Sequence, residues 1–358
     1  MESHIIIEET VTITSHQMSR VLLTGGSGFI ASHIIGILLS HGHSVVTTVR
    51  SEEKIRKLRD LYPNIPTSKL DFVIVEDVGK EGAFDRAIVS EPPFQVVIHT
   101  ASPFYFDVKD IKSELLDPAL HGTTSILKAI KAYAPTVKRV VITSSIASIV
   151  DSIKPNDPKQ IYTEADWNPV SYEAALKDVR NGYRGSKVFA EKAAWKFIDD
   201  ENPKFTLSTI CPPLVVGPTT SCISSLSNLN TSNIRFLEFI QGKYKGPVIP
   251  ETGNYLWADV RDVALAHVRA FEVDGAAGKR FFTVASHFCN KEIVDILREN
   301  FPDFEQNLPD KDASGGTYPP EGPYGFSNEN STKILGIEFM GLEKSVVDLV
   351  ESLKSLGV

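Results

Sequence analysis

The sequence predicts an α/β protein: a doubly wound parallel sheet followed by a smaller C-terminal domain. Three observations point there. Short apolar runs alternate with segments of helical periodicity from Arg20 to Ile210. A glycine-rich turn, Thr24-Gly25-Gly26-Ser27-Gly28-Phe29-Ile30-Ala31, joins the first run to the first helix. After Cys211 the alternation gives way to Pro212, Pro213 and Pro218 and to the Ser/Asn-rich stretch 221–232. A length of 358 residues suits roughly two domains.

The elements follow in order. Residues 1–18 read as an extension; Thr10 to Thr14 alternate polar and apolar, but a tail is the simpler reading. Val21, Leu22 and Leu23 make a short buried strand that exits into glycine. Phe29 to Ser40 has helical periodicity. Strands are expected at Ser44–Val49, Phe72–Val75, Val96–His99, Val140–Thr143 and Thr206–Ile210, and helices at Glu114–Tyr133 and from Tyr183 to about Asp200. A nucleotide-binding domain over 19–211 is expected. The rest, 212–358, carries helical patterns near Ile234–Gln241, Asp259–Phe271, Lys291–Asn300 and Leu342–Leu356, with a loop at Asp310–Gly325. Some of its segments are expected to return to the first domain.

Composition removes several function classes. Lys and Arg number 37 against 45 Asp and Glu, a net charge of −8, so no global field draws the chain to nucleic acid. No apolar run approaches the ~20 residues that cross a bilayer, and the opening MESHIIIEET does not read as a secretory signal. Cys211, Cys222 and Cys289 are widely spaced, which suits a reducing compartment, and a cytoplasmic protein is expected. No His or carboxylate cluster stands at ligand spacing, so no metal is expected.

The glycine turn has the strand-to-helix context of a dinucleotide site, which makes the sheet Rossmann-type. Gly25 can make the tight turn, and Gly28 lets backbone approach a pyrophosphate at a helix N-terminus. Small Ala31 lets the helix pack closely on the sheet. The second strand ends in Thr48-Val49-Arg50, where NAD-binding folds usually carry a carboxylate. Arg50 and Lys54 instead suit a 2′-phosphate, so NADPH/NADP+ is expected. Arg56, Lys57 and Arg59 read as a solvated helix face. Asp77, after the third strand, is either an adenine contact or a turn residue.

Tyr183-Arg184-Gly185-Ser186-Lys187 places a phenol and an ammonium four residues apart, on one helix face. The fifth strand ends in Thr143-Ser144-Ser145, and such strand ends bind ligands in open parallel sheets. Ser145, Tyr183 and Lys187 are therefore the candidate catalytic groups. Ser145 would orient a substrate oxygen, and Tyr183 would donate or accept its proton. Lys187 would favour the phenolate and lower the phenol's pKa.

Together these segments resemble an extended short-chain dehydrogenase/reductase, of the kind formed by fungal NADPH-dependent methylglyoxal, aldehyde and ketone reductases and plant dihydroflavonol 4-reductase. The carrying segments are Leu22–Ile34, Thr47–Lys54, Val97–Phe104, Arg139–Ser145, Trp167–Pro169, Tyr183–Trp195 and Val260–His267. The resemblance implies carbonyl reduction of a small-molecule substrate bound in the C-terminal domain. It implies NADP contacts at Gly25, Gly28, Phe29, Ile30, Arg50, Lys54, Asp77, Val78, Tyr183, Lys187, Val215 and Ser232. It also runs His99–Pro103 beneath the nicotinamide half. Ile146 and Leu214 stand where relatives often carry aromatics, so an aliphatic pocket of Phe104, Ile146 and Leu214 is expected. Epimerisation, dehydration and hydroxysteroid-type oxidation share the Tyr/Lys pattern and stay open, as does a non-catalytic nucleotide sensor. A monomer or weak homodimer is expected, since no large apolar helical face stands out.

Overall fold

The computed structural model describes residues 18–102, 108–151, 154, 156–223 and 225–358. In chain order its first half runs β1 (Arg20–Thr24), α1 (Phe29–Ser40), β2 (Ser44–Val49), α2 (Glu52–Leu61), β3 (Leu70–Ile74), β4 (Val96–His99), α3 (Asp117–Tyr133), β5 (Arg139–Thr143), β6 (Ile161–Tyr162), α4 (Tyr172–Ala175), α5 (Val179–Glu201) and β7 (Thr206–Ile210). The second half adds β8 (Leu214–Val216), α6 (Thr231–Ile240), β9 (Val248–Ile249), β10 (Leu256–Asp259), α7 (Val260–Glu272), β11 (Arg280–Phe281), β12 (Ser286–His287), α8 (Asn290–Asn300), β13 (Ser314–Gly315), β14 (Gly325–Phe326), α9 (Glu329–Lys333) and α10 (Leu342–Lys354).

Seven strands form one parallel sheet in the order β11-β7-β5-β4-β1-β2-β3. The chain leaves β1 toward β2 on one side and returns beside it as β4, with Thr24 paired to His99. That reversal opens a crevice at the strand carboxyl ends, the place where such sheets bind ligands. The near-continuous apolar strands are buried on both faces, as a covered parallel sheet requires. On one face α1 and α7 pack around Ile34, Ile35, Leu38, Val263 and Val268. On the other, α3 and the C-terminal part of α5 pack around Ile126, Ile130, Phe94 and Ala194.

The later chain builds a second layer. β8 and β10 pair in parallel, β12 joins β10 antiparallel, and α6, α8 and α10 bury Phe236, Phe239, Trp257, Leu297 and Leu349 together. Two segments from beyond Cys211 rejoin the large sheet: β11 pairs with β7, and α7 covers the sheet face.

Several boundaries differ from expectation. The helix expected from Tyr183 starts at Val179, because Asp178 caps it by accepting from Asn181 N at 2.9 Å. Tyr183 therefore lies in its second turn. α6 starts at Thr231, inside the stretch read as loop. Its polar first turn, Thr231-Ser232-Asn233, shows no apolar period. The short strands β8 and β10 had no periodic signal at all. The possible strand at Thr10–Thr14 lies outside the described residues.

Candidate active site

The glycine turn lies at the head of a cleft of about 500 Å³. Gly25 has φ +76°, a left-handed conformation that side chains resist, and its amide donates to Thr48 Oγ1 at 3.0 Å. A Cβ at Gly26 would stand 2.1 Å from Thr47 Oγ1, so this glycine is what lets the turn lie against β2. Gly28 precedes α1 without a side-chain cap, and the first turn of α1 holds no acidic residue. Its leading N–H groups and positive dipole end are thus available to an anion. Gly25, Gly28, Phe29, Ile30, Arg50, Lys54, Val78, Val215 and Ser232 all border the cleft, as do Ser145, Tyr183 and Lys187. An uncapped helix start and glycines at the closest approach fit a dinucleotide's pyrophosphate, and Arg50 and Lys54 fit a further phosphate.

Asp77 does not border the cleft. It is exposed, and its Oδ1 accepts from Gly79 N at 2.9 Å, the turn role. Lys57 pairs with Glu53 at 2.7 Å, and Arg59 lies 5.6 Å from the Phe72 ring centroid, so both serve their own helix and its neighbouring strand.

At the far end of the cleft, Tyr183 Oη lies 3.4 Å from Ser145 Oγ. Ser145 lies two residues past the end of β5 and caps a single 3₁₀ turn, accepting from Ala147 N at 3.1 Å. Lys187 Nζ donates to Ser102 Oγ at 3.3 Å and stands 5.8 Å from the Tyr183 ring centroid. The loop carrying Ser102 is itself held by Thr24, whose hydroxyl accepts from Thr100 N and Ala101 N at 3.1 Å each.

The electrostatics correct one expectation. Burial pushes the Tyr183 phenol above its usual value, and the Ser145 hydrogen bond pulls it part of the way back. The predicted lowering by Lys187 is not what governs the phenol here, because the ammonium is directed to Ser102 rather than to the phenol oxygen. Burial lowers Lys187 to about 8. His99, below the cleft, is lowered to about 3 by burial and secondarily by the Lys187 charge, so it is neutral. His267 is lowered to about 4 by burial and meets Thr143 Oγ1 at 2.7 Å. Both histidines are framework.

Two of the three residues expected to line an aliphatic pocket, Ile146 and Leu214, do not border the cleft. Phe104 lies outside the described residues. Ile146 turns into a core with Ile149, Val150, Tyr162 and Phe282, because the 3₁₀ turn after Ser145 ties its amide to Pro212 O at 2.8 Å. Leu214 opens β8 opposite Trp257 and packs on the C-terminal core. Pro212 and Pro213 border the cleft instead.

A histidine–carboxylate group does form, contrary to the sequence reading. His41 Nδ1 and His43 Nε2 lie 2.8 and 3.1 Å from Glu272 Oε1 at the end of α7. Glu272 is far away in sequence, so no ligand spacing announced it. Ser19 N donates to His43 Nδ1 at 3.1 Å, which leaves Nε2 as the proton-bearing nitrogen facing the carboxylate. A metal would need that nitrogen's lone pair, so this is a hydrogen-bonded cluster.

Sequence reasoning missed Thr48, Asn230 and Thr231 in the cleft and Glu191 behind it, whereas Ser102 lies in the run already expected beneath the nicotinamide half. Glu191 carried a signal: a carboxylate four residues after Lys187 falls on the same inward helix face.

The profile of the NAD dependent epimerase/dehydratase family matches residues 21–285. Ketoreductase azaE of Aspergillus niger is 46% identical over 334 residues, 93% of this chain and 97% of that protein. The NADPH-dependent methylglyoxal reductase GRE2 of Saccharomyces cerevisiae is 38% identical, over 92% of this chain and 96% of its own. A crystal structure of Gre2 from Candida albicans in complex with NADPH superposes with a TM-score of 0.88 at 40% identity, covering 95% of this chain and 100% of that one. Among the described residues no helix is long and apolar enough to cross a membrane.

Proposed function

Because the chain belongs to the NAD dependent epimerase/dehydratase family, we propose that it is an NADPH-dependent carbonyl reductase that converts small aldehydes or ketones to alcohols. One observation carries the reading: the hydroxyls of Ser145 and Tyr183 meet at 3.4 Å in the same cleft as the glycine turn, with Lys187 beside them. The relatives named as methylglyoxal reductase and ketoreductase support it.

When bound, NADPH supplies the hydride that reaches the carbonyl carbon. The chain's own groups do the rest. The N-terminus of α1, Gly25 and Gly28 would hold the pyrophosphate, and Arg50 and Lys54 the 2′-phosphate. Lys187 and Ser102 would hold the ribose beside the reacting carbon. Ser145 Oγ donates a hydrogen bond to the carbonyl oxygen and orients it. Tyr183 gives its proton to that oxygen. Its raised pKa keeps the phenol protonated near neutral pH, which is the state reduction needs. Lys187, lowered only to about 8, still carries its charge there.

We read 19–211 as the nucleotide-binding part and 212–358 as mainly substrate-binding, in a monomer or weak homodimer. Three free, buried cysteines support a reducing, cytoplasmic setting. The test offers NADPH and NADH separately with diketones, β-keto esters, aryl ketones and aldehydes. NADPH oxidation lost in Tyr183→Phe is expected; NADPH binding without turnover of any carbonyl would move the chain to an epimerase or dehydratase reaction.

A further inference from the structure

Tyr183, Lys187 and Glu191 follow one another at intervals of four on α5, so one helix face presents all three. The first two border the cleft; Glu191 lies behind it and is 2% exposed. A buried carboxylate needs partners, and the partners here are informative. Glu191 Oε2 accepts from Ser144 Oγ and from Ser148 Oγ at 2.5 Å each. Those serines bracket Ser145 in the sequence: Ser144 directly precedes it, and Ser148 ends the 3₁₀ turn that it caps. Glu191 Oε1 accepts from Thr209 Oγ1 on β7 at 2.8 Å and from Arg280 Nε on β11 at 2.7 Å.

Arg280 is committed in turn. Its Nη1 donates to the carbonyl oxygens of Glu164 and Asp166 at 2.6 and 2.7 Å, and its guanidinium lies 3.8 Å from the Trp167 ring centroid. The carboxylate is thus fixed from two strands and a loop before it reaches the serines. We propose that Glu191 is a positioning residue: by gripping Ser144 and Ser148 it sets the Ser145 hydroxyl against the helix that carries Tyr183 and Lys187. Stability alone does not call for this arrangement, because a well-packed apolar pair can replace a buried ion pair at no loss. What an apolar pair could not do is hold two hydroxyls on either side of a third. The Ser145 hydrogen bond is also what lowers the Tyr183 phenol, so a displaced Ser145 leaves that phenol higher.

This inference rests on the carbonyl-reductase reading, and the experiment separates the two. The full chain is compared with Ser144→Ala/Ser148→Ala, Glu191→Gln and Tyr183→Phe. NADPH affinity is followed by quenching of tryptophan fluorescence, and the alkaline limb of kcat for carbonyl reduction is recorded. The serine pair is the decisive variant, since it leaves the Glu191–Arg280 contact in place if Glu191→Gln does not fold. We expect kcat to fall by roughly ten-fold or more, as small misplacements of reacting groups do. NADPH affinity should stay within about two-fold, and the alkaline limb should move to higher pH. A folded serine variant with unchanged kcat and an unmoved limb, beside an active wild type and a dead Tyr183→Phe, overturns the inference alone. A wild type that binds NADPH and reduces no carbonyl overturns the reading and takes the inference with it.

Discussion

Tyr183 and Lys187 illustrate how burial assigns work to single side chains. A phenol raised by desolvation holds its proton, and an ammonium lowered to about 8 is held at a cost. Replacing Tyr183 by Phe removes the proton donor and little else. We expect kcat to drop by roughly 10²-fold or more with NADPH still bound; a variant with more than a tenth of wild-type turnover would falsify that role. Lys187 yields a stability prediction with a definite sign. Its folded pKa of about 8 lies below the unfolded 10.5. Between those values the unfolded chain binds more protons, so stability rises with pH across that window. Below it the cost of the buried charge is fully present. Lys187→Met, without cofactor, should therefore be more stable than wild type at pH 7, by about 1–2 kcal/mol, and the gap should narrow toward pH 10. Urea titrations at the two pH values decide it; a gap that is absent or constant refutes it. Arg50→Ala should raise the KM for NADPH about 10–100-fold while leaving that for NADH nearly unchanged, the loss expected for one charged hydrogen-bonding partner. Equal losses with both cofactors would remove Arg50 from the 2′-phosphate site.

At the scale of the element, α5 is the part that the chemistry depends on most. Its glycines are notches rather than weak points. A Cβ at Gly182 would stand 2.5 Å from Ile111 Cγ2, and one at Gly185 would stand 2.5 Å from Ala175 Cβ. The first notch lets the turn before α3 lie against the helix just ahead of Tyr183, and the second lets α4 lie against it between Tyr183 and Lys187. Alanine at Gly185 would gain helix propensity of about 1 kcal/mol. The clash is with a side-chain stub on packed backbone, which cannot swing away. We expect net destabilisation of about 1–3 kcal/mol and a reduced kcat. Thermal melting that shows Gly185→Ala at or above the wild-type Tm would show that α4 yields freely.

For the molecule as a whole, acid stability follows from histidines buried under the sheet's carboxyl edge. His99 and His267 are lowered to about 3 and about 4 from 6.5. Below pH 6.5 the unfolded chain binds protons that the folded one refuses, so stability falls as pH drops toward those values. Each contributes a slope of up to about 1.4 kcal/mol per pH unit. Asp262 opposes them: burial raises it to about 6, so the folded form takes its proton first. His267→Gln should flatten the loss of stability between pH 6.5 and 4.5, as read by denaturant midpoints. An unchanged slope would mean that His267 is not held neutral in the fold.

Features that depend on neighbours along the chain are legible in the amino-acid order alone. Gly25 and Gly28 announce a tight turn into a helix, Arg50 stands in place of a carboxylate at a strand end, and Tyr183 and Lys187 share a face through helical spacing alone. The apolar runs between them specify a parallel sheet, because only burial on both faces accommodates them. Packing sets what depends on groups distant in sequence. It directed Lys187 to Ser102, turned Ile146 into a core, placed Asp77 in a turn, and brought Glu272 to His41 and His43. It also joined Glu191 on α5 to Ser144 and Ser148 in the segment after β5 and to Arg280 on β11. Periodicity reports which face of an element is inward, whereas a side chain's partner and its pKa are set by the low-dielectric surroundings that packing creates.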